Sequence, residues 1–272
     1  MTRLISDAQR AQYREQGYFI LESVIPTPLL ELLRNTCSDA IRSMDAKMDL
    51  EGTDTMGINH RGKRYFVGQS YGDYPALGQF LFDSMMADIC RATLGETAFF
   101  HSDQFVVKCE QTGMSFAWHQ DGAYVQARVG DHPECITCWC ALDDVNEDNG
   151  TISLLPVGRF GCRELVPHQR DPETNDRIGY FGDDPGDAVI APAGSIVVFS
   201  SLVFHRSGAN PSGRSRRAYL AQYAPAAIQN QPGQWPQYFA KPFLAAGLRV
   251  ASTNTTDPAD ALHDGASDAA SL

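Results

Sequence analysis

Residues 194–223, GSIVVFSSLVFHRSGANPSGRSRRAYLAQY, carry the pattern that decides the fold. An apolar run ends at His205, the turn residues NPSG follow, and strand-like alternation resumes in RRAYLAQY. Similar short β-rich runs, separated by turns, recur from residue 97 to residue 224. Because helical patterns do not alternate with these runs, they indicate a β-sandwich or barrel rather than βαβ units.

The chain that precedes this β-rich part is predicted to be mainly helical. Residues 6–17 are typical of a capped helix, and residues 18–26 of a strand. Apolar residues at helical spacing predict two more helices, over about 28–44 and about 77–94. The sequence therefore predicts helices first and a β-sandwich second.

Two irregular segments interrupt these elements. Residues 45–78 are rich in Gly, Asp and Tyr and lack clean periodicity, which favours a lid or binding loop. Residues 164–187 form a polar insertion, expected near one mouth of the sandwich. The small, polar and acidic segment 251–272 is expected to be flexible. We predict a single domain over 1–250, with its β core at about 97–224.

The composition limits the kinds of partner. The 272 residues are 43% hydrophobic, enough for a packed core, and 22 Lys and Arg against 33 Asp and Glu give a net charge of -11. This charge repels nucleic acids and anionic membranes. Because no apolar window of ~18 residues and no signal-peptide pattern is present, we predict a cytoplasmic protein without a membrane partner. A small-molecule substrate fits, and the oligomeric state is left open.

The seven cysteines, an odd number, favour reduced thiols over a disulfide framework. The segment CITCWC includes a CxxC pair, Cys135 and Cys138, of the kind found in zinc, iron-sulfur and redox sites. The chain has no second CxxC and no histidine pair at zinc-finger spacing. We therefore interpret the segment as a buried strand whose cysteines pack as small apolar residues.

A metal site is predicted from SFAWHQDGAYV, residues 115–125. If this segment is a strand, His119 and Asp121 point to the same face. A 2-His-1-carboxylate iron site needs one more imidazole, from a strand that faces the same cavity. His205 is the best candidate, because it ends an apolar strand, and His101 is its main rival. The other histidines lie in loop-like or tail segments: His60, His132, His168 and His263.

An arginine close to the third histidine would complete this site. A hairpin through NPSG makes His205 a neighbour of an arginine in RSRR. Such an arginine suits a dicarboxylate that chelates iron at one end and forms a bidentate ion pair at the other. The alternative is a solvated basic turn, which we accept for two of Arg214, Arg216 and Arg217.

Acidic residues are concentrated in LDDVNEDNGTISLLPVGR, residues 142–159. They could indicate a calcium site or acid/base chemistry. A strand, an acidic turn that ends in Asn149 and Gly150, and a return strand explain the same residues as a hairpin. We expect a structural role for Asp143, Asp144, Glu147 and Asp148.

Three separated segments resemble the phytanoyl-CoA dioxygenase family: WHQDGAY, CWCALDDVNEDNGTISLLPVGR and the segment quoted first. YREQGYFILESVIP is similar to the family's usual opening, so the resemblance covers most of residues 11–224 in order. It implies an iron(II)- and 2-oxoglutarate-dependent oxygenase. The implied fold is mainly β with flanking N-terminal helices, around a double-stranded β-helix core of the jelly-roll, cupin-like type.

The same resemblance implies roles for single residues. His119, Asp121 and His205 would be the iron ligands. Arg216 stands eleven residues after the distal histidine, where the family has its 2-oxoglutarate arginine. The weaker co-substrate contacts that it implies are Ser207, Thr137 and Gln104 or Lys108. Three aromatic residues could shape a substrate pocket or belong to the core: Trp118, Trp139 and Tyr124.

The implied cofactors are Fe(II), 2-oxoglutarate and O2. The implied reaction hydroxylates an unactivated C–H bond of a small molecule and releases succinate and CO2, although the same oxidant also serves desaturation or cyclisation. Related halogenases lack the carboxylate ligand that this chain keeps at Asp121. An alternative is a cupin-like metal-binding or hydrolytic protein, in which the triad holds zinc or nothing. Arg216 argues against it, because a zinc hydrolase needs no dicarboxylate anchor.

Overall fold

The structure is a computed structural model in which two antiparallel sheets enclose a cavity, with helices packed outside the larger sheet. The segment predicted to be a flexible tail, 251–272, lies outside the described residues. These residues are 4–110, 115–130, 133–172, 176–229 and 238–250.

The first helix lies where the sequence predicts it, within residues 6–17. Ser6 accepts a hydrogen bond from the backbone N–H of Gln9, and Gly17 ends the helix at a φ of 85°. The second helix runs seven residues further than predicted, and the third is broken where Asp83 caps a new helix. The helices are α1 (Asp7–Gln16), α2 (Thr27–Glu51), α3 (Ser70–Asp73), α4 (Gly78–Leu81), α5 (Ser84–Thr93), α6 (Asp121–Val129) and α7 (Val157–Phe160).

The strands lie mainly in the second half of the chain, as predicted. They are β1 (Tyr18–Leu21), β2 (Thr55–Met56), β3 (Asn59–His60), β4 (Arg64–Gly68), β5 (Ala98–Lys108), β6 (Phe116–His119), β7 (Ile136–Ala141), β8 (Ile152–Leu155), β9 (Gln169–Arg170), β10 (Arg177–Ile178), β11 (Asp187–Ala188), β12 (Ile196–Ser200), β13 (Phe204–Ser207), β14 (Arg216–Ala224), β15 (Lys241–Ala245) and β16 (Leu248–Arg249).

The larger sheet has the order β1-β12-β7-β14-β5-β4-β3-β2, with β15 also paired to β5. The expectation that residues 45–78 lack regular structure is wrong, since strands β2, β3 and β4 extend this sheet. Strand β4 pairs with β5 over five residues, from Arg64 opposite Lys108 to Gly68 opposite Gln104. The segment is therefore part of the wall of the sandwich.

The smaller sheet has the order β11-β8-β13-β6. Two predicted hairpins are wrong, because β7 and β8 lie in different sheets and so do β13 and β14. The acidic segment 143–150 and the NPSG turn therefore cross from one sheet to the other. Antiparallel sheets joined by such crossings confirm the predicted jelly-roll class.

The core has two main parts. One lies between the larger sheet and the helices, with Leu33, Phe80 and Phe100 fully buried. The other lies between the inner faces of the two sheets, around Trp139 and Leu154. The cysteines of β7 are buried without a disulfide, as predicted for core residues: Cys138 and Cys140.

None of the helices in the described ranges is long and apolar enough to cross a membrane.

Gly150 sits at a crossing between the sheets and has a φ of 72°. An added Cβ would meet the backbone oxygens of Ala209 at 2.6 Å and Gly208 at 2.8 Å. We expect Gly150→Ala to lower the free energy of unfolding by about 2–3 kcal/mol, because it adds a clash to the cost of a positive φ. Urea denaturation measures this change.

Gly52→Ala is the matched control. Gly52 ends α2 at a φ of 62°, and an added Cβ would meet nothing within 4 Å. Only the backbone cost applies there, about 1 kcal/mol. Equal losses in the two variants would show that the contacts of Gly150 do not constrain the crossing.

Candidate active site

His119, Asp121 and His205 meet at one point of the cavity. The side-chain ligand atoms of the three residues lie within 4.8 Å of one another. Atom Oδ1 of Asp121 lies 3.8 Å from Nε2 of His119 and 3.5 Å from Nε2 of His205. The two histidines are direct partners across β6 and β13, and their ring centroids are 4.1 Å apart.

The local reason given for this pairing from the sequence is wrong. Strand β6 ends at His119, and Asp121 is the first residue of α6. The two side chains therefore converge through a strand-to-helix turn and not through the alternation of one strand.

Backbone carbonyls fix the orientation of both imidazoles. Nδ1 of His119 donates to the carbonyl of Ala117 at 2.8 Å, and Nδ1 of His205 donates to that of Val203 at 3.2 Å. Each Nε2 is then the nitrogen with the free lone pair, as a metal ligand requires. Burial, together with the neighbouring His205, lowers the pKa of His119 to about 4, so its ring is neutral at pH 7.

The carboxylate of Asp121 is held by two side chains of the larger sheet. Thr137 donates its hydroxyl to Oδ2 of Asp121 at 2.5 Å, and Gln222 donates to the same oxygen at 3.2 Å. Burial opposes the charge on Asp121, yet His205, His119 and these two hydrogen bonds lower its pKa. The Thr137 hydroxyl thus has a different partner from the predicted co-substrate, and Gln222 is a contributor that sequence reasoning missed.

This donor set fits iron. Two imidazoles and one carboxylate form the facial set of non-haem Fe(II) enzymes, and the group faces a cavity of about 310 Å³. In the described part of the chain, no other cluster of metal-binding side chains is found. His101, the rival third ligand, is buried on β5 and faces Tyr238. His132 and His263 lie outside the described residues.

Arg216 lies inside the cavity, and its side chain is fully buried. Its Nη2 donates to the carbonyl of Gly150 at 2.7 Å. Its Nε and Nη1 are buried and have no hydrogen-bond partner among the described residues. Burial lowers the pKa of Arg216 to about 10, so the guanidinium stays charged. A buried charge with two unpaired donors requires an anion, and a carboxylate supplies one.

Two more basic residues lie beside Arg216. Lys108 is its partner across β14 and β5, and Arg64 is the partner of Lys108 across β5 and β4. The amino group of Lys108 donates to the carbonyl of Gly208. Burial, followed by the charges of Arg216 and Arg64, lowers the pKa of Lys108 to about 6. Lys108 is therefore mainly neutral at pH 7, and the charge of Arg216 suits this end of the cavity to an anionic ligand.

Arg217 points away from the cavity end that holds Arg216. It forms an ion pair with Asp143 at 2.6 Å, and Asp143 also accepts from its backbone N–H. The prediction of a structural role for Asp143 is consistent with this contact. Arg214 is not among the residues that line the cavity.

The other predicted site residues are divided between two pockets. Ser207, Gln104, Tyr124 and Trp139 line the cavity. Trp118 instead lines a separate pocket with Tyr180, and its ring lies 4.9 Å from the guanidinium carbon of Arg206.

Comparisons with known proteins agree with this geometry. A sequence model of the phytanoyl-CoA dioxygenase (PhyH) family matches residues 13–218. Ectoine dioxygenase of Bordetella bronchiseptica is 23% identical over 228 residues, which cover 76% of this chain and 71% of that protein.

Two solved structures share the fold. EvdO2 from Micromonospora carbonacea var. aurantiaca, crystallised with 2-oxoglutarate, superposes with a TM-score of 0.63 at 22% identity and covers 84% of this chain and 95% of its own. The alpha-ketoglutarate-dependent carbocyclase SnoK from nogalamycin biosynthesis also gives 0.63 at 22% identity, with 85% of this chain and 88% of its own covered.

The fold, the family match and the His-Asp-His group define a non-haem, iron(II)- and 2-oxoglutarate-dependent dioxygenase. The chain belongs to the phytanoyl-CoA dioxygenase family. The hydrolytic or binding alternative raised from the sequence does not describe a member of this dioxygenase family.

We predict that Thr137→Val weakens Fe(II) binding about tenfold, because it removes the short hydrogen bond that orients Asp121. Anaerobic titration calorimetry with Fe(II) measures the affinity. The matched control is Thr151→Val, since Thr151 is also buried but donates to the carbonyl of Val189. Equal Fe(II) affinity in the two variants would contradict the orienting role.

Proposed function

We propose that the protein hydroxylates an unactivated C–H bond of a small molecule, with His119, Asp121 and His205 binding Fe(II) and Arg216 binding 2-oxoglutarate. The observation that carries this proposal is Arg216, a buried guanidinium with two unpaired nitrogens in the same cavity as the triad. The expected products are hydroxylated substrate, succinate and CO2. Fe(II) together with 2-oxoglutarate and oxygen supplies the oxidant for the C–H bond.

In this proposal the triad does not take part as acid or base. The neutral ring of His119 and the carbonyl-anchored ring of His205 present their Nε2 lone pairs, and Asp121 supplies the negative charge. Thr137 and Gln222 hold Asp121 in one orientation before metal binds. A preset ligand geometry of this kind lowers the cost of ordering on binding.

The co-substrate is proposed to lie along the inner face of the larger sheet. Arg216 would bind its distal carboxylate, because Nε and Nη1 lack acceptors in the described part of the structure. Ser207 lies on the inner side of β13, where it lines the same cavity, and is kept as a further contact. Gln104 lines the cavity, and Lys108 lies opposite Arg216 in the strand pairing, so both are kept as proposed contacts.

The substrate is proposed to be a small molecule held in the same cavity. A volume of about 310 Å³ suits a ligand of modest size. Trp139 and Leu220 supply apolar wall, and Tyr124 lies with its ring 5.6 Å from that of His119. Ectoine dioxygenase, one of the relatives, is named for ectoine. A cytoplasmic location stays a prediction from the sequence.

We expect Arg216→Ala to raise the 2-oxoglutarate concentration needed for half-saturation at least about 30-fold, because a charge-assisted contact is lost. The measurement is an anaerobic titration of the Fe(II) enzyme with 2-oxoglutarate, followed by its visible charge-transfer band. No band in the wild type, or an unchanged titration in Arg216→Ala, would contradict the proposal.

Arg217→Ala serves as the control for this experiment. Its guanidinium is the next one along β14, but it pairs with Asp143 instead of facing the cavity. The 2-oxoglutarate titration of Arg217→Ala should match that of the wild type.

A further inference from the structure

Gln69 has a side chain that lines the cavity without satisfying its own hydrogen bonds. It follows β4 directly and is only 7% exposed. Its Nε2 lies 3.4 Å from the hydroxyl of Ser102, which is a long contact. Its Oε1 is buried and has no partner within the ranges that the structure describes. A buried amide oxygen without a donor is energetically unfavourable.

Hydrogen bonds hold Gln69 in a backbone conformation that is unfavourable for a non-glycine residue. Gln69 has a φ of 57°, which non-glycine residues rarely adopt. Its N–H donates to the carbonyl of Asp103 at 2.8 Å, and the N–H of Tyr71 donates to the carboxylate of the same aspartate at 3.1 Å. Tyr219 adds a hydroxyl to that carboxylate at 2.8 Å. The cavity-facing position of Gln69 is thus fixed by several contacts, and strain of this kind is found at ligand sites.

The neighbours of Gln69 make this end of the cavity neutral and polar. Ser102, Gln104 and Gln222 line the cavity here, and Ser102 is the strand partner of Gln222. Gln222 stands six residues from Arg216 along β14, a distance of roughly 20 Å. Arg216 and the residues around Gln69 therefore lie toward opposite ends of this part of the sheet.

Only two of the side chains that line this cavity have buried polar atoms without a partner in the described structure, Arg216 and Gln69. The guanidinium of Arg216 lacks hydrogen-bond acceptors, and the carboxylate of 2-oxoglutarate supplies them under the proposed function. Oε1 of Gln69 lacks a hydrogen-bond donor. The ionised form of 2-oxoglutarate has no donor group, so it cannot supply one. A substrate that carries a hydroxyl or an N–H can supply this donor.

We propose that Gln69 is a specificity-determining residue that accepts a hydrogen bond from a hydroxyl or amide N–H of the substrate. The substrates are then hydrogen-bonding small molecules and not plain hydrocarbon acyl chains. A hydroxyl or a primary amide also satisfies the carboxamide if its oxygen and nitrogen exchange places. This inference rests on the proposed function, because it places the substrate in the cavity that holds iron and 2-oxoglutarate.

The test measures binding to the anaerobic complex of the enzyme with Fe(II) and 2-oxoglutarate. Titration calorimetry compares benzamide with acetophenone and benzyl alcohol with ethylbenzene, pairs that keep the skeleton and lose the donor. We expect the donor-bearing member of each pair to bind about tenfold more tightly to the wild type. In Gln69→Gly this preference falls to within about twofold, because the acceptor is gone.

Gln69→Gly is chosen so that a loss of binding preference is not caused by a loss of folding. Glycine adopts a positive φ without strain, so the variant should be at least as resistant to urea as the wild type. Ala246→Gly is the matched control, since Ala246 has a φ of 49° but is exposed and lies between β15 and β16. Ala246→Gly relieves backbone strain in the same way, and it should leave the tenfold preference for donor-bearing ligands unchanged.

Different failures have different meanings. If the wild type forms no charge-transfer band with Fe(II) and 2-oxoglutarate, the proposed function itself fails. If the band forms but the wild type binds neither benzamide nor benzyl alcohol, or binds both members of each pair equally, the role of Gln69 is overturned. A preference that survives in Gln69→Gly overturns it as well.

Discussion

The antiparallel register of β14 is the constraint on which the rest of the site depends. Strand β14 lies between β5 and β7, and its inner face carries Arg216, Leu220 and Gln222 in turn. Because side chains alternate with period two, a slip of one residue would turn Arg216 outward and bring Arg217 into the cavity. In the observed register Arg217 lies on the other side of the strand, where it pairs with Asp143, and the register itself is set by the pairing of β14 with β5 and β7.

Much of this arrangement could be predicted from the sequence. The fold class followed from short apolar runs, and the three residues of the candidate iron site followed from HxD, a later histidine and the family resemblance. The local structure at Asp121 was predicted wrongly, because AYVQARV is compatible with both helix and strand over so short a length. The two hairpins were wrong for a different reason. A turn signal shows that the chain reverses, but it does not show which sheet receives the next strand.

The residues that sequence reasoning missed act through long-range contacts. Gln222 reaches Asp121 across 101 positions of the chain, and Asp103 supports Gln69 through a strand pairing that begins in a segment taken for a loop. Isolated Gln and Asp residues in apolar strands carry no local signal of such partners. One signal was present in RRAYLAQY, where Gln222 is a polar residue on the same strand face as Arg216.

The strand-to-helix turn at Asp121 has a consequence for how ligands act on one another. Helix α6 begins with this carboxylate, and its next turns supply Tyr124, Val125 and Arg128 to the cavity wall. An ion held by Asp121 therefore anchors the same helix that forms one side of the substrate space. If occupancy of one site shifts this helix, thermodynamic linkage makes the effect on the other site equal in both directions.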